Sequence, residues 1–495
     1  MISLTLLEQA KALEPQLRAL KDDLHRHPEL SFQEVRTTGI LKEKLTALGL
    51  ELIDLGMDTG VVAMLRGDRP GRTVALRADI DAIAQQEAGH DGAVSRQAGL
   101  MHGCGHDFHT AGLYGAACLL SQRRDQLAGN VVFLFQPAEE VTQGAQAMLD
   151  HGLWDKLPAR PDCLFGLHNR PELPAGQIAV MEGPVMAGKS HFVLTLHGIA
   201  GHGGSPHKCT DVIVAGAAVV NALQTVVSRS TDPLDSLVCS VLSVHAGTPD
   251  NFVPDVLTMT GSIRAHSAAA HRRAEVRLRE LTLGVSAAYG CTAEVEFHPG
   301  VPATVNSPAM TALARRAALA LVEEDQVVSP APDMGSEDFA VFAQDVPAFF
   351  YWLGSGVPGQ HNPCWHNEQF RTDDSALPLA AALLAQSALV GLEQAGRTKL
   401  SGIHRMERKG TSLHFQLGGI AMPDKMMPGP VQDAACIREA VCIHTKKIYD
   451  SCKEEDITSY IPEGQVLRFS TCTFLSIVLR IPQSVPRLIY LGLQR

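Results

Sequence analysis

Aromatic and charged residues are both scarce in this 495-residue chain, at 5% and 19%, while hydrophobic residues make up 45%. So few charges on so apolar a chain exclude a solvated, disordered polymer and predict packed cores. A basic surplus is missing as well. The net charge of −11 leaves no cations to neutralise phosphates, which excludes nucleic acid as a partner. No unbroken apolar run approaches the ~18 residues of a bilayer span. The run Thr473 to Leu479 is closed at once by Arg480 and Pro482. The first thirty residues bring acids early and no apolar core after a basic start, so neither a signal nor a membrane partner is expected and a cytoplasmic address is the default. Paired cysteine spacings are absent from the first 400 residues. The thiols are expected to stay reduced, each as a small buried group or a metal ligand.

The length predicts more than one core. Alternating strand and helix patterns fill residues 1–187. They include one helix over Leu6 to His27, apolar strands Val61–Leu65, Thr73–Arg77, Asn130–Phe135 and Cys163–Leu167, and a small-residue helix from Asp107 to Arg123. Buried strands alternating with helices predict an α/β domain, a mostly parallel sheet with helices on both faces. Residues 188–300 change texture to strand, helix, strand, strand, helix, strand, the order of a two-layer α+β insert. Residues 301–398 return to the first style. Residues 399–495 match neither texture; this atypical tail, with Cys436, Cys442, Cys452 and Cys472, reads as a partial domain or a poorly ordered appendage.

Chemistry concentrates at strand ends. HGCGHDFHT (102–110) places a cysteine and several histidines within a few residues, a dense set of metal donors. NVVFLFQPAEE ends in Glu139 and Glu140, TVALRADIDA in Asp79 and Asp81, and CLFGLHN delivers His168. In open α/β sheets functional groups gather outside the carboxyl ends of strands. Any one of these has an ordinary structural explanation; their coincidence predicts a metal site.

These residues resemble the amidohydrolase branch of the co-catalytic metallopeptidases, which includes hippurate hydrolase, N-acyl-amino-acid amidohydrolases and auxin-conjugate hydrolases. The likeness rests on HRHPELSFQE (25–34), RADIDA, HGCGHDFHT, QPAEE, GLHN, GHGGSPH (201–207), DNFVPD (250–255), GSEDF (335–339) and WHNEQFRTDD (365–374), in family order over about residues 5 to 395. It implies a zinc-peptidase-like catalytic domain interrupted by a ferredoxin-like lid and dimerisation domain, and hence a homodimer. It implies two divalent cations, manganese or zinc with cobalt or nickel as alternatives, held by Cys104, His106, Glu140, His168 and His366. His366 is preferred to His361 because it directly precedes the acidic, apolar segment leading to the last helix. The resemblance also makes Glu139 the general base and has Asp81 orient a ligand. It gives His202 the oxyanion, and Asn251 and Arg264 the carboxylate of a small substrate. The implied reaction is hydrolysis of N-acyl-amino acids. An aminopeptidase or dipeptidase on the same metals, or a non-catalytic metal binder, is the alternative.

Overall fold

The computed structural model describes residues 5–89, 92–247 and 251–393, and the backbone of 406–409, 412–415, 457–460 and 466–469. Two compact units divide the chain, Met1–Ala395 and Gly396–Arg495. In the second, Met406–Lys409 pairs with Ser412–Phe415 and Ile457–Tyr460 with Val466–Phe469 as antiparallel ladders. The expected order of the tail and its four cysteines otherwise lie outside the described residues.

Where one N-terminal helix is expected, two form: α1 (Leu6–Ala12) and α2 (Glu14–Arg26). Pro15 in the first turn of α2 has no N–H to continue the preceding ladder but suits a helix start. The other helices are α3 (Val35–Ala47), α4 (His106–Ser121), α5 (Gly144–Asp150), α6 (Leu153–Lys156), α7 (Val212–Ser230), α8 (Ala268–Ala288), α9 (Pro308–Leu319), α10 (Phe339–Phe342) and α11 (Leu377–Glu393). The strands of the first unit are β1 (Glu51–Ile53), β2 (Val61–Arg66), β3 (Arg69–Asp79), β4 (Ala128–Gln136), β5 (Cys163–Pro174), β6 (Ile178–Ala179), β7 (Gly183–Met186) and β8 (Gly188–His197). They continue with β9 (Gly201–His202), β10 (Leu237–Ala246), β11 (Phe252–Val253), β12 (Val256–Ala265), β13 (Thr292–Pro299), β14 (Thr304–Asn306), β15 (Val327–Val328) and β16 (Ala348–Gly356).

The large sheet runs β1-β2-β4-β3-β5-β16-β6-β15. Its centre, β4-β3-β5-β16, is parallel, and antiparallel partners flank it. These central strands are almost wholly buried because helices cover both faces. One core contains α2, α4, α9 and α11 side chains such as Leu17, Phe108, Leu313 and Leu383; the other contains Met148, Trp154 and Phe342. Gly115 of α4 lets that helix approach α11 closely, since a Cβ there would stand 2.6 Å from the Ala381 methyl.

The small sheet, β10-β12-β8-β13, is antiparallel throughout, and α7 and α8 pack on it around a core including Phe192, Val219 and Leu278. In sequence order of its four strands this is 2-3-1-4, the ferredoxin-like arrangement. Two helical segments, Val212–Ser230 and Asp374–Glu393, are apolar and long enough to cross a membrane by length and composition, where the sequence predicted none. The second is 83% buried, as a core helix is; polar residues such as Asn221 and Gln224 interrupt the apolar run of the first. Among the described cysteines all seven are free, and Cys364 is exposed, against the expectation that each would be buried or a ligand.

His25 on α2 ties this helix to α4: Nδ1 contacts Asp107 at 2.8 Å and Nε2 contacts Glu87 at 2.9 Å. Burial alone would lower its pKa, but Asp107 and Glu87 outweigh burial and raise it to about 9. A raised folded-state pKa adds stability that is complete below the unfolded value near 6.5 and lost as pH rises through about 9. The melting temperature of wild type should therefore exceed that of His25→Gln by a margin that shrinks between pH 6.5 and 10. A margin constant over that range in parallel thermal melts would refute the charged pair.

Candidate metal centre

Each sheet strand that carries a motif ends at the same edge. Asp79 closes β3 in register with Gln136 of β4, and His168 on β5 is in register with Trp352 of β16. Glu139 and Glu140 follow β4 in a turn, and His106 opens α4 after Gly105, whose φ of +84° is left-handed. A Cβ on Gly105 would stand 2.4 Å from the Asn169 side-chain nitrogen, so the loop carrying Cys104 lies directly on β5.

Five donors converge in two groups that share Cys104. Cys104, His106 and His168 have ligand atoms within 4.8 Å of one another, and so do Cys104, Glu140 and His366. The Cys104 Sγ is 3.4 Å from His168 Nε2, and His366 Nε2 is 3.2 Å from a Glu140 oxygen. His361 is exposed and has no contact with these groups among the described residues. His366 has a left-handed φ of 59°, held by its N–H donating to the Gly103 carbonyl at 2.8 Å.

Hydrogen bonds decide which ring nitrogens are available. His106 Nδ1 faces Asp81 at 3.1 Å, leaving Nε2 buried with no hydrogen-bond partner, 3.9 Å from Glu140 and 4.0 Å from Glu139. Asp81 is fixed in turn by the Ser31 hydroxyl at 2.7 Å and the Glu140 N–H at 3.0 Å. His168 Nδ1 donates to the Asn169 carbonyl at 2.7 Å, so its Nε2 is the bare nitrogen facing Cys104. His109 is spent: Nδ1 is 2.6 Å from Asp79, and Nε2 accepts the Asn169 backbone N–H at 2.9 Å. It braces β5 and has no nitrogen left for a metal.

The electrostatics fit bound cations. Asp79, Asp81, Glu139, Glu337 and Asp338 are buried and Glu140 is half-buried; the buried guanidinium among them is Arg77. It donates to Asp79 (2.7 Å), Glu337 (2.7 Å), Asp338 (3.1 Å) and Gln136 (2.8 Å). Burial, then Glu337, Asp338 and Glu140, push the Glu139 carboxyl well above the usual carboxylate range. Burial raises Asp338 to about 8. Burial and Glu140 likewise push the Cys104 thiol up. Bare His106 Nε2, an unpartnered buried Glu140 oxygen and the Cys104 thiol match what soft and borderline divalent metals take.

The other expected residues lie apart, on the small-sheet unit. His202 is exposed on the β9–β11 ladder beside Asn251, and its Nδ1 accepts the Gly204 N–H at 2.9 Å. Arg264 of β12 donates to the Met334 carbonyl at 2.9 Å and lies 3.4 Å from the Ser336 hydroxyl, next to the Glu337 segment. Lys189, its register partner on β8, adds a second cation there; burial and Arg264 lower its pKa. Arg77, His109, Asn169 and Lys189 have no role expected from the sequence. A charged residue inside the apolar strand TVALRAD was the available signal for Arg77.

The family model for peptidase family M20/M25/M40 matches residues 75–389. The chain is 39% identical over 384 residues to N-acetylcysteine deacetylase of Bacillus subtilis, covering 77% of this chain and 98% of the relative. It is 34% identical to IAA-amino acid hydrolase ILR1-like 2 of Arabidopsis thaliana, covering 81% and 92%. The crystal structure of the Bacillus subtilis YXEP protein, described as a dinuclear metal binding peptidase of the M20 family, superposes with a TM-score of 0.69 at 37% identity, covering 77% and 99%. The parallel sheet, its metal-donor edge and these likenesses together place the chain in peptidase family M20/M25/M40, as a metal-dependent amidohydrolase.

Proposed function

We propose that the chain hydrolyses the amide bond of N-acyl-amino acids, releasing a carboxylic acid and a free amino acid. The observation that carries this reading is the Glu139–Glu140 doublet. Glu140 points an unpartnered oxygen into the donor group, while Glu139 sits beside it among carboxylates that favour holding a proton. Relatives that remove an acetyl group or cleave an auxin–amino acid conjugate support the blocked-amine substrate class.

Cys104, His106, Glu140, His168 and His366 would hold two divalent cations. When bound, these cations supply Lewis acidity to the amide carbonyl and lower the pKa of the attacking water. Glu139 takes the water's proton and returns it to the leaving nitrogen. Asp81 keeps the His106 ring oriented with Nε2 bare. Because His202 Nδ1 accepts a backbone N–H, its proton lies on Nε2, which makes this nitrogen the donor for a developing oxyanion once the small-sheet unit closes. Arg264 and Lys189 form the cationic corner that takes the substrate carboxylate, with Asn251 assisting from the His202 turn. A cytoplasmic address fits this small-molecule chemistry.

The surface of the small-sheet unit supports a homodimer through it. The edge strand β10 exposes Val238, Leu242 and Val244, beside α7 with exposed Ile213, Val214 and Val227. An uncovered edge with apolar side chains invites a second copy. Leu242→Asp should shift the protein to monomer in size-exclusion chromatography with light scattering; an unchanged mass for both proteins would remove this interface.

The decisive assay compares wild type with Glu139→Gln on a panel of N-acyl-amino acids and free-amine dipeptides, with metal content measured in parallel. Wild type should cleave the acylated substrates, and the variant should retain two metals while kcat falls about 10²–10⁴-fold. Cleavage restricted to free-amine dipeptides would make the chain a dipeptidase instead. Metal binding without any cleavage would leave a non-catalytic binder.

A further inference from the structure

Apart from the Ser31 hydroxyl on Asp81, the segment HRHPELSFQE has no part in the chemistry above. Glu29 caps α3 by accepting the N–H groups of Arg36 and Thr37, each at 2.8 Å. The Glu29 carbonyl takes the Ala82 N–H at 2.9 Å, Leu30 bridges Ala82 in parallel register, and the Ser31 hydroxyl reaches Asp81. The segment ends in Glu34, which is fully buried and whose carboxylate accepts the Ala138 N–H at 2.8 Å across 104 residues of sequence.

Ala138 immediately precedes Glu139 and has a φ of 54°. This left-handed conformation is uncommon for a residue with a Cβ and persists only where surroundings enforce it. The surroundings here are the Glu34 bond on its N–H and the Gln143 and Gly144 N–H groups on its carbonyl, at 3.3 and 3.1 Å. Gly144 presses on the same turn, since a Cβ there would lie 1.6 Å from the Pro137 carbonyl. An ordinary extended or helical φ at Ala138 would swing the next Cα–Cβ bond away, because one backbone rotation redirects everything beyond it.

We propose that Glu34 is a positioning residue that clamps Ala138 in its left-handed conformation and thereby aims the Glu139 carboxylate. This deepens the amidohydrolase reading and rests on Glu139 as the base. The acceptor oxygen does the work, so Glu34→Gln, which keeps a carbonyl oxygen for Ala138, is the conservative variant. Glycine adopts positive φ without enforcement, so Ala138→Gly relieves the need for the clamp.

The test measures kcat, KM, metal content and melting temperature for wild type, Glu34→Ala, Glu34→Gln and the double variant Glu34→Ala/Ala138→Gly, on the N-acyl-amino acid that wild type cleaves best. Glu34→Ala should lose at least tenfold in kcat with KM within twofold and two metals retained. Glu34→Gln should stay within threefold of wild type, and the double variant should recover much of the loss. If Glu34→Ala keeps full kcat, or loses activity only in proportion to lost metal, the clamp is overturned. It is also overturned if Glu34→Gln is as slow as Glu34→Ala. Should Glu34→Ala fail to fold, Glu34→Gln and the double variant still decide: a slow Glu34→Gln, or a folded double variant without recovered kcat, overturns the clamp. A fully active Glu139→Gln would instead sink the parent reading, whatever the Glu34 variants do.

Discussion

Too much negative charge in too little water is the constraint around which this protein is built. Six carboxylates crowd the carboxyl edge of the central strands, and one buried guanidinium, Arg77, reaches three of them. Burying a carboxylate among others is costly and favours its protonated form; burial and neighbouring carboxylates push Glu139 up, and burial raises Asp338 even with Arg77 beside it. Arg77 secures the layer below the site by joining β3 to the segment before α10. The layer above keeps its excess charge, and divalent cations are the means of balancing it.

From that layer the scaffold works outward through single-purpose contacts. Asp79 holds His109, His109 takes the Asn169 N–H, and the Asn169 side chain donates to the Cys104 carbonyl at 2.5 Å. Asp81 orients His106 and receives both Ser31 and the Glu140 N–H. His106, His168 and the Cys104 loop are thus each held by hydrogen bonds with neighbouring groups, the arrangement that lets a site meet a ligand without reorganising. Positive φ at Ala138 and His366 shows where the backbone is held against its own preference to the same end.

The small-sheet unit follows a different logic. His202, Asn251, Arg264 and Lys189 carry the polar groups a substrate carboxylate and oxyanion would need, but only Arg264 touches the segment beside the centre. The metal donors lie at the edge of the large sheet and these polar groups on the small-sheet unit.

Strand and helix order were legible in the sequence because burial on both faces forces continuous apolar runs in β3, β4 and β5, and the insert's alternation of elements read as a two-layer α+β unit. Candidate donors were legible only as a set: a single cysteine, histidine or carboxylate has an ordinary structural explanation, and their coincidence at several strand ends does not. What the sequence could not determine was allegiance. Nothing local distinguishes His106 from His109, three residues on along the same helix; Asp79 and Asn169, brought in from two strands, decide that one nitrogen stays bare and the other does not. Nor could it reveal that Pro15 divides the first helix or that Glu34 meets Ala138 across 104 residues. Side-chain chemistry is a property of the residue and can be read locally, whereas a proton's place, a ring's orientation and a strained φ depend on partners that only the folded chain brings within hydrogen-bond range.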